Sequence, residues 1–99
     1  MLHIVNKSPL DRNAFDSCLR VAQSGGTVLL IEDAVYAATR GNAAEATLRA
    51  AMAHFRICVL QPDLEARGTA DRLIEGVTAV DYGGFVDLVA DHKNCQSWL

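Results

Sequence analysis

Short, unbroken apolar runs alternate along this chain with stretches whose apolar residues recur every three or four positions. Residues 2–6 (LHIVN) fit a short buried strand. Residues 27–32 (TVLLIE) form the clearest strand, continuously apolar as expected of one covered on both faces. Residues 56–60 and 77–81 supply a third and a fourth, and residues 95–99 read as a short tail or a fifth, edge strand. Between the first two runs, Leu10, Ala14, Cys18, Val21 and Ala22 follow helical spacing, widened by Phe15 and Leu19, and predict a helix over residues 9–23. Ser8 is placed to cap it. Pro9 fits the first helical position, where its missing N–H has no partner to lose, and Asp11 complements the positive helix end. Ser24-Gly25-Gly26 stops it, because glycine tolerates a left-handed turn.

Further along, Asp33 reads as the cap of a short helix reaching residues 36–39. Gly41 breaks the chain, and Asn42 with Glu45 marks the start of a helix over residues 43–53. Pro62 and Asp63 open a helical turn that Gly68 stops, residues 69–76 are irregular, and Gly83 and Gly84 separate the fourth strand from a helix over residues 85–92. The alternation predicts an α/β fold: a single domain over residues 1–99, with a mostly parallel four- to five-stranded sheet and helices on both faces, joined by right-handed crossovers. In an open sheet of this kind, ligands favour the loops at the carboxyl ends of strands. Those loops hold Lys7 and Ser8, Glu32 and Asp33, residues 61–63, and residues 81–84.

Composition narrows the classes. At 99 residues and 51% apolar content the chain supports one packed core rather than disorder. Nine Lys and Arg against twelve Asp and Glu give a net charge of −3, which disfavours a dedicated nucleic-acid binder. No apolar run approaches the ~20 residues of a membrane span. The opening stretch lacks the basic and then long apolar regions of a secretory leader. Cys18, Cys58 and Cys95 are odd in number and lie far apart. They point away from a disulfide framework or a cysteine-based zinc site, and toward free thiols in a reducing cytoplasm.

Candidate chemistry is sparse. No G-x-G-x-x-G or G-x-x-x-x-G-K loop follows the first strand, so nucleotide binding has little support. Lys7 with Ser8 at a helix start could hold an anion, or be a surface lysine beside an ordinary cap. Glu32 and Asp33 are adjacent on a strand end and point to opposite faces, poorly placed for shared acid–base work. His3, His54 and His92 show no metal-ligand spacing, and no cofactor is implied. Cys58 sits within a strand run and reads as buried, and Cys95 lies in a polar tail beside Lys93. Cys18 lies on the apolar stripe of the first helix, where core packing and a reactive thiol are both open readings. Its helical neighbours at three and four residues are Phe15, Ala14, Val21 and Ala22, none of them a cation that would lower its pKa.

Several segments nevertheless resemble, in order and spacing, the DsrH/TusB family of sulfur-relay proteins. They are residues 1–9 (MLHIVNKSP), residues 29–33 (LLIED) followed by Val35-Tyr36-Ala37-Ala38, and residues 60–68 with Asp63-Leu64 and Ala66-Arg67-Gly68. Val80-Asp81-Tyr82, Phe85-Val86-Asp87-Leu88 and the terminal Trp98-Leu99 complete the match, which spans essentially the whole chain. Ala34 departs from the family's glycine after the Glu-Asp pair, making a left-handed turn there less comfortable. The resemblance implies a DsrE-like parallel sheet between helices. It implies a cytoplasmic heterohexamer with DsrE/TusD-like and DsrF/TusC-like subunits, and persulfide transfer to a DsrC/TusE-like carrier, in sulfur oxidation or in 2-thiolation of the tRNA wobble uridine. Residues 12–19 resemble the DsrH branch, which carries a cysteine at the position of Cys18, and this resemblance favours the sulfur-oxidation branch or a related relay. That makes Cys18 a candidate secondary persulfide site, the principal reactive cysteine belonging to the DsrE/TusD-type subunit. Two other functions stay open: a non-catalytic structural subunit of the same heterohexamer, and a small-anion-binding module built on Lys7, Ser8 and Asp33.

Overall fold

The computed structural model describes residues 1–8, 13–22 and 24–98. Five strands form one fully parallel sheet: β1 (Leu2–Val5), β2 (Thr27–Leu30), β3 (Arg56–Leu60), β4 (Thr78–Val80) and β5 (Cys95–Trp98). Their order is β4-β3-β2-β1-β5. The helices are α1 (Ala14–Val21), α2 (Glu45–Ala51), α3 (Gln61–Ala66) and α4 (Tyr82–Asp91), with 3₁₀ helices at Glu32–Ala38 and Ala70–Arg72.

This order decides which face each helix covers. The chain steps from β1 to β4 in one direction, and right-handed crossovers in one direction must all lie on one side of the sheet. α1, α2, α3 and the 3₁₀ helix Glu32–Ala38 therefore share a face, where Val5, Val28, Leu30, Ile57 and Val59 meet Phe15, Cys18, Leu48 and Leu64 in the main core. The return to β5 runs the opposite way and puts α4 alone on the other face. There Leu2, Leu29, Cys58 and Leu88 are buried, while Ile4, Ile31, Val80 and Phe85 are only half-buried. A sheet of five strands at about 4.8 Å spacing is far wider than one helix of about 10 Å, so that face stays partly open.

Local signals held in part. Gly68 stops α3 in the left-handed region, at φ +65°. Asn42 Oδ1 accepts the Ala44 N–H at 2.8 Å and Glu45 Oε1 accepts the Gly41 N–H at 2.7 Å, bonds that hold the turn leading into α2, which starts at Glu45 rather than at residue 43. The predicted start of α1 at residues 9–12, with Leu10 on its stripe, lies outside the described residues. Its described turns bury Ala14, Phe15 and Cys18, but Val21 is 69% exposed, because it lies at the margin of the buried stripe on the last turn. Gly83 and Gly84 do not separate β4 from α4; they form its first turn. A Cβ on Gly84 would sit 2.9 Å from the Val80 Cβ, so that glycine permits close approach of helix to strand.

Candidate functional site

Two places hold side chains with chemistry to offer: the carboxyl ends of β2 and β3, and the thiols. At the first, the extended backbone of Ile31 leads into Glu32, whose φ of +50° is the one non-glycine left-handed conformation among the described residues. Asp33 does not cap the helix that follows. The cap comes from Asp63 on α3, whose Oδ2 accepts the Glu32 N–H at 2.6 Å. A carboxylate at the positive end of a helix is favoured there whichever segment carries it. Asp33 instead pairs with Arg67, Nε to Oδ1 2.9 Å, and Arg67 also donates to the Asp63 carbonyl at 3.3 Å. Glu32, Asp33, Asp63 and Arg67 thus tie the two loops together. Ala34 is buried within the 3₁₀ helix and needs no left-handed turn, since that conformation falls on Glu32 two residues earlier.

The other carboxyl-end candidates are separate from this cluster. Lys7 is exposed and Ser8 is buried with a partner. Asp81 caps α4 through a 2.7 Å bond from the Gly84 N–H, so its carboxylate already occupies that helix end.

The three cysteines are free and dispersed. Cys18 is fully buried in the main core between α1 and the sheet, and burial pushes its thiol up to about 11. At pH 7 such a thiol is ionised in roughly one molecule in ten thousand, and the thiolate is the nucleophile. Cys58 is fully buried on the opposite face. Its thiol is also raised by burial, an effect that the charge of Arg56 only partly offsets. Cys95 is exposed at the start of the edge strand. Two strands lie between Cys95 on β5 and Cys58 on β3, so three strand spacings, about 14 Å across the sheet, keep them too far apart for a disulfide.

Two of the three histidines are engaged in structure, and His54 is exposed. His92 reaches the Leu88 carbonyl through Nδ1 at 2.7 Å and the Thr27 hydroxyl through Nε2 at 3.1 Å, fixing the end of α4 to β2. His3, 5% exposed, accepts the Trp98 indole N–H on Nδ1 at 3.1 Å. No group of three or more His, Cys, Asp or Glu among the described residues could hold a metal ion. Sequence reading missed the Asp63 cap and the His3–Trp98 pair. Both join residues distant along the chain, and only the matched register of β1 and β5 could have signalled the second.

Among the described residues no helix is long and apolar enough to cross a membrane. In sequence, the chain is 34% identical over 98 residues to the protein TusB of Pectobacterium parmentieri, covering 99% of this chain and 100% of that one. It is 35% identical over 98 residues to TusB of Escherichia coli O81 (strain ED1a), with the same coverage. In three dimensions it resembles the ychN protein from E. coli, with a TM-score of 0.80 over 97% of each chain at 19% identity, a likeness of fold alone. Residues 7–95 match the model of the DsrH like protein family. The loops joined by Asp63 and the helix that carries Cys18 both lie within that span, and the chain belongs to the DsrH-like family.

Proposed function

We propose that this chain is a subunit of a sulfur-relay complex, acting in tRNA thiolation as the TusB likeness suggests, and that its own part is to complete the assembly. Family membership over nearly the whole chain supports the relay. The observation that favours an assembling role is the outer face of α4, where Tyr82, Val86 and Val89 recur at spacings of four and three and are 62%, 66% and 41% exposed. They form one apolar stripe beside the half-covered face of the sheet. Asp87 and Asp91 lie beyond it on the same helix, so two copies of this chain facing each other there would oppose like charges. A different chain with a basic rim, such as a DsrE/TusD-like or DsrF/TusC-like subunit in a cytoplasmic heterohexamer, fits better. Co-expression with those two subunits and native mass measurement tests this. A mixed complex that Val86→Asp dissolves, with the fold of the chain intact, is the expected result. A chain that stays solitary beside its sisters refutes it.

A second reading gives Cys18 a persulfide, and it is favoured by the cysteine that the resemblance to the DsrH branch places on this helix. In that step the Cys18 thiolate attacks the outer sulfur of a donor persulfide, the donor's S–S bond breaks and its thiolate leaves. A DsrC/TusE-like carrier thiolate then takes the sulfur by the same displacement. Burial of Cys18 means that α1 must lift from the sheet first. Loading of the assembled complex with a persulfide donor, followed by mass analysis, decides between the readings. A gain of one sulfur on Cys18 supports the second, and loading confined to sister subunits with Cys18→Ser fully active removes it.

A further inference from the structure

A cavity of about 600 Å³ lies at the amino end of the sheet, between the last turn of α1, the loop at residues 24–26, and β1 and β5. That volume is within the range of small-molecule sites, roughly 300–1,000 Å³. Its apolar wall includes Met1, Val21 and Ala22, with the Trp98 ring on one side and Gln96 at the edge. The exposure of Val21 has its setting here, since the side chain stands beside this opening rather than in the core.

Of the polar side chains that line the cavity, His3, Ser24 and Gln96, His3 is the one tied to Trp98. Indole nitrogen only donates, so the 3.1 Å contact from Trp98 Nε1 makes His3 Nδ1 the acceptor. The neutral imidazole must then carry its hydrogen on Nε2. Burial lowers the pKa of His3, and the nearby N-terminal ammonium lowers it further, so the ring is neutral at physiological pH. The Nε2–H has no hydrogen-bond partner among the described residues. It is not sealed from solvent either, since the one fully buried side-chain atom left unpaired among them is Asn6 Oδ1. The Trp98 N–H is spent on His3, so that ring offers the cavity only its face and edge.

We propose that this cavity binds a small ligand of apolar, ring-sized body carrying one carbonyl-type oxygen, with the His3 Nε2–H donating to that oxygen and the body packed against Trp98, Val21 and Ala22. No carboxylate side chain lines the cavity among the described residues, so nothing there repels an acceptor oxygen. In the free protein that donor can bond to water; a ligand that displaces the water without supplying an acceptor leaves it unpaired and binds more weakly. The site is independent of the relay reading, because it needs no partner subunit and none of the cysteines.

The test uses the full chain and two probes of similar shape, acetophenone and ethylbenzene, which differ in the acceptor. Trp98 is the sole tryptophan, so its indole N–H gives one NMR signal, followed together with the His3 side-chain nitrogens. Acetophenone shifts these signals saturably, and ethylbenzene binds about fivefold more weakly or worse. His3→Phe abolishes the preference between the probes. Val21→Phe, at an exposed position that does not threaten the fold, narrows the mouth and weakens acetophenone binding. No saturable shift up to the solubility limit, equal affinity for the two probes, or indifference to Val21→Phe would each overturn the proposal.

Discussion

The two faces of the sheet are built from similar strand residues and end in different states. On one face Val5, Val28, Leu30, Ile57 and Val59 are sealed under α1, α2, α3 and a 3₁₀ helix. On the other, Leu2, Leu29 and Cys58 depend on α4 alone, and Ile4, Ile31 and Val80 keep part of their surface in water. Strand composition does not explain the difference, because β2 is buried along its whole length. Chain direction does: three crossovers run one way and one runs back. The roofed face teaches where stability resides, and the open face where a partner has room to dock.

The largest expected effect sharpens that contrast. Phe15→Ala, under the roofed face, lowers the unfolding free energy by about 3–5 kcal/mol, while Leu88→Ala on the open face loses nearer ~2 kcal/mol, because solvent and side-chain adjustment fill its gap. Urea titration of both variants checks this, and equal losses would break the contrast. Next, Cys18→Ser puts a hydroxyl into the dry core and loses about 1–3 kcal/mol, whereas Cys95→Ser stays within about 0.5 kcal/mol. In the same comparison a thiol reagent modifies Cys95 at once and reaches Cys18 and Cys58 only as the chain unfolds. Rapid modification of Cys18 in the native isolated chain would mean that α1 is not seated as described.

Asp63→Ala removes the carboxylate that caps the 3₁₀ helix on the roofed face and loses about 0.5–2 kcal/mol, read as a drop in thermal midpoint. Arg67→Ala does less, because Asp33, its ion-pair partner, is 59% exposed and solvent screens the pair. The smallest effect is that of pH. The pKa of His3 is lowered from 6.5 in the folded chain, so the unfolded chain binds the proton more readily. Its contribution is therefore complete above 6.5 and declines as pH falls from there toward the lowered folded-state value. Denaturation midpoints measured across that window show the decline in the parent chain and not in His3→Phe.

Much of this was legible in the residues. The run at residues 56–60 is β3 to the residue, and the tail at residues 95–99 proved to be an edge strand over Cys95–Trp98. The family resemblance was readable from the order of short segments along the chain. The candidate site was less legible. Cys18 sits on an apolar stripe in either reading, and the stripe cannot say whether its roof is the same chain's sheet or another chain. The glycines before α4 looked like a break, because a glycine needed for close approach and one needed for a turn are the same letter.

The sequence by itself determined the alternation of strands and helices, the likeness to a family, and the lack of a cation three or four residues from Cys18 along its helix, since periodicity, motif order and helical neighbourhood are all local along the chain. Only the tertiary structure decided which carboxylate caps the 3₁₀ helix, which face stays half-covered, and that His3 and Trp98 pair along the lining of one cavity. Each of these depends on residues brought together from distant positions by strand order and register, and one-residue differences in register turn a side chain to the opposite face.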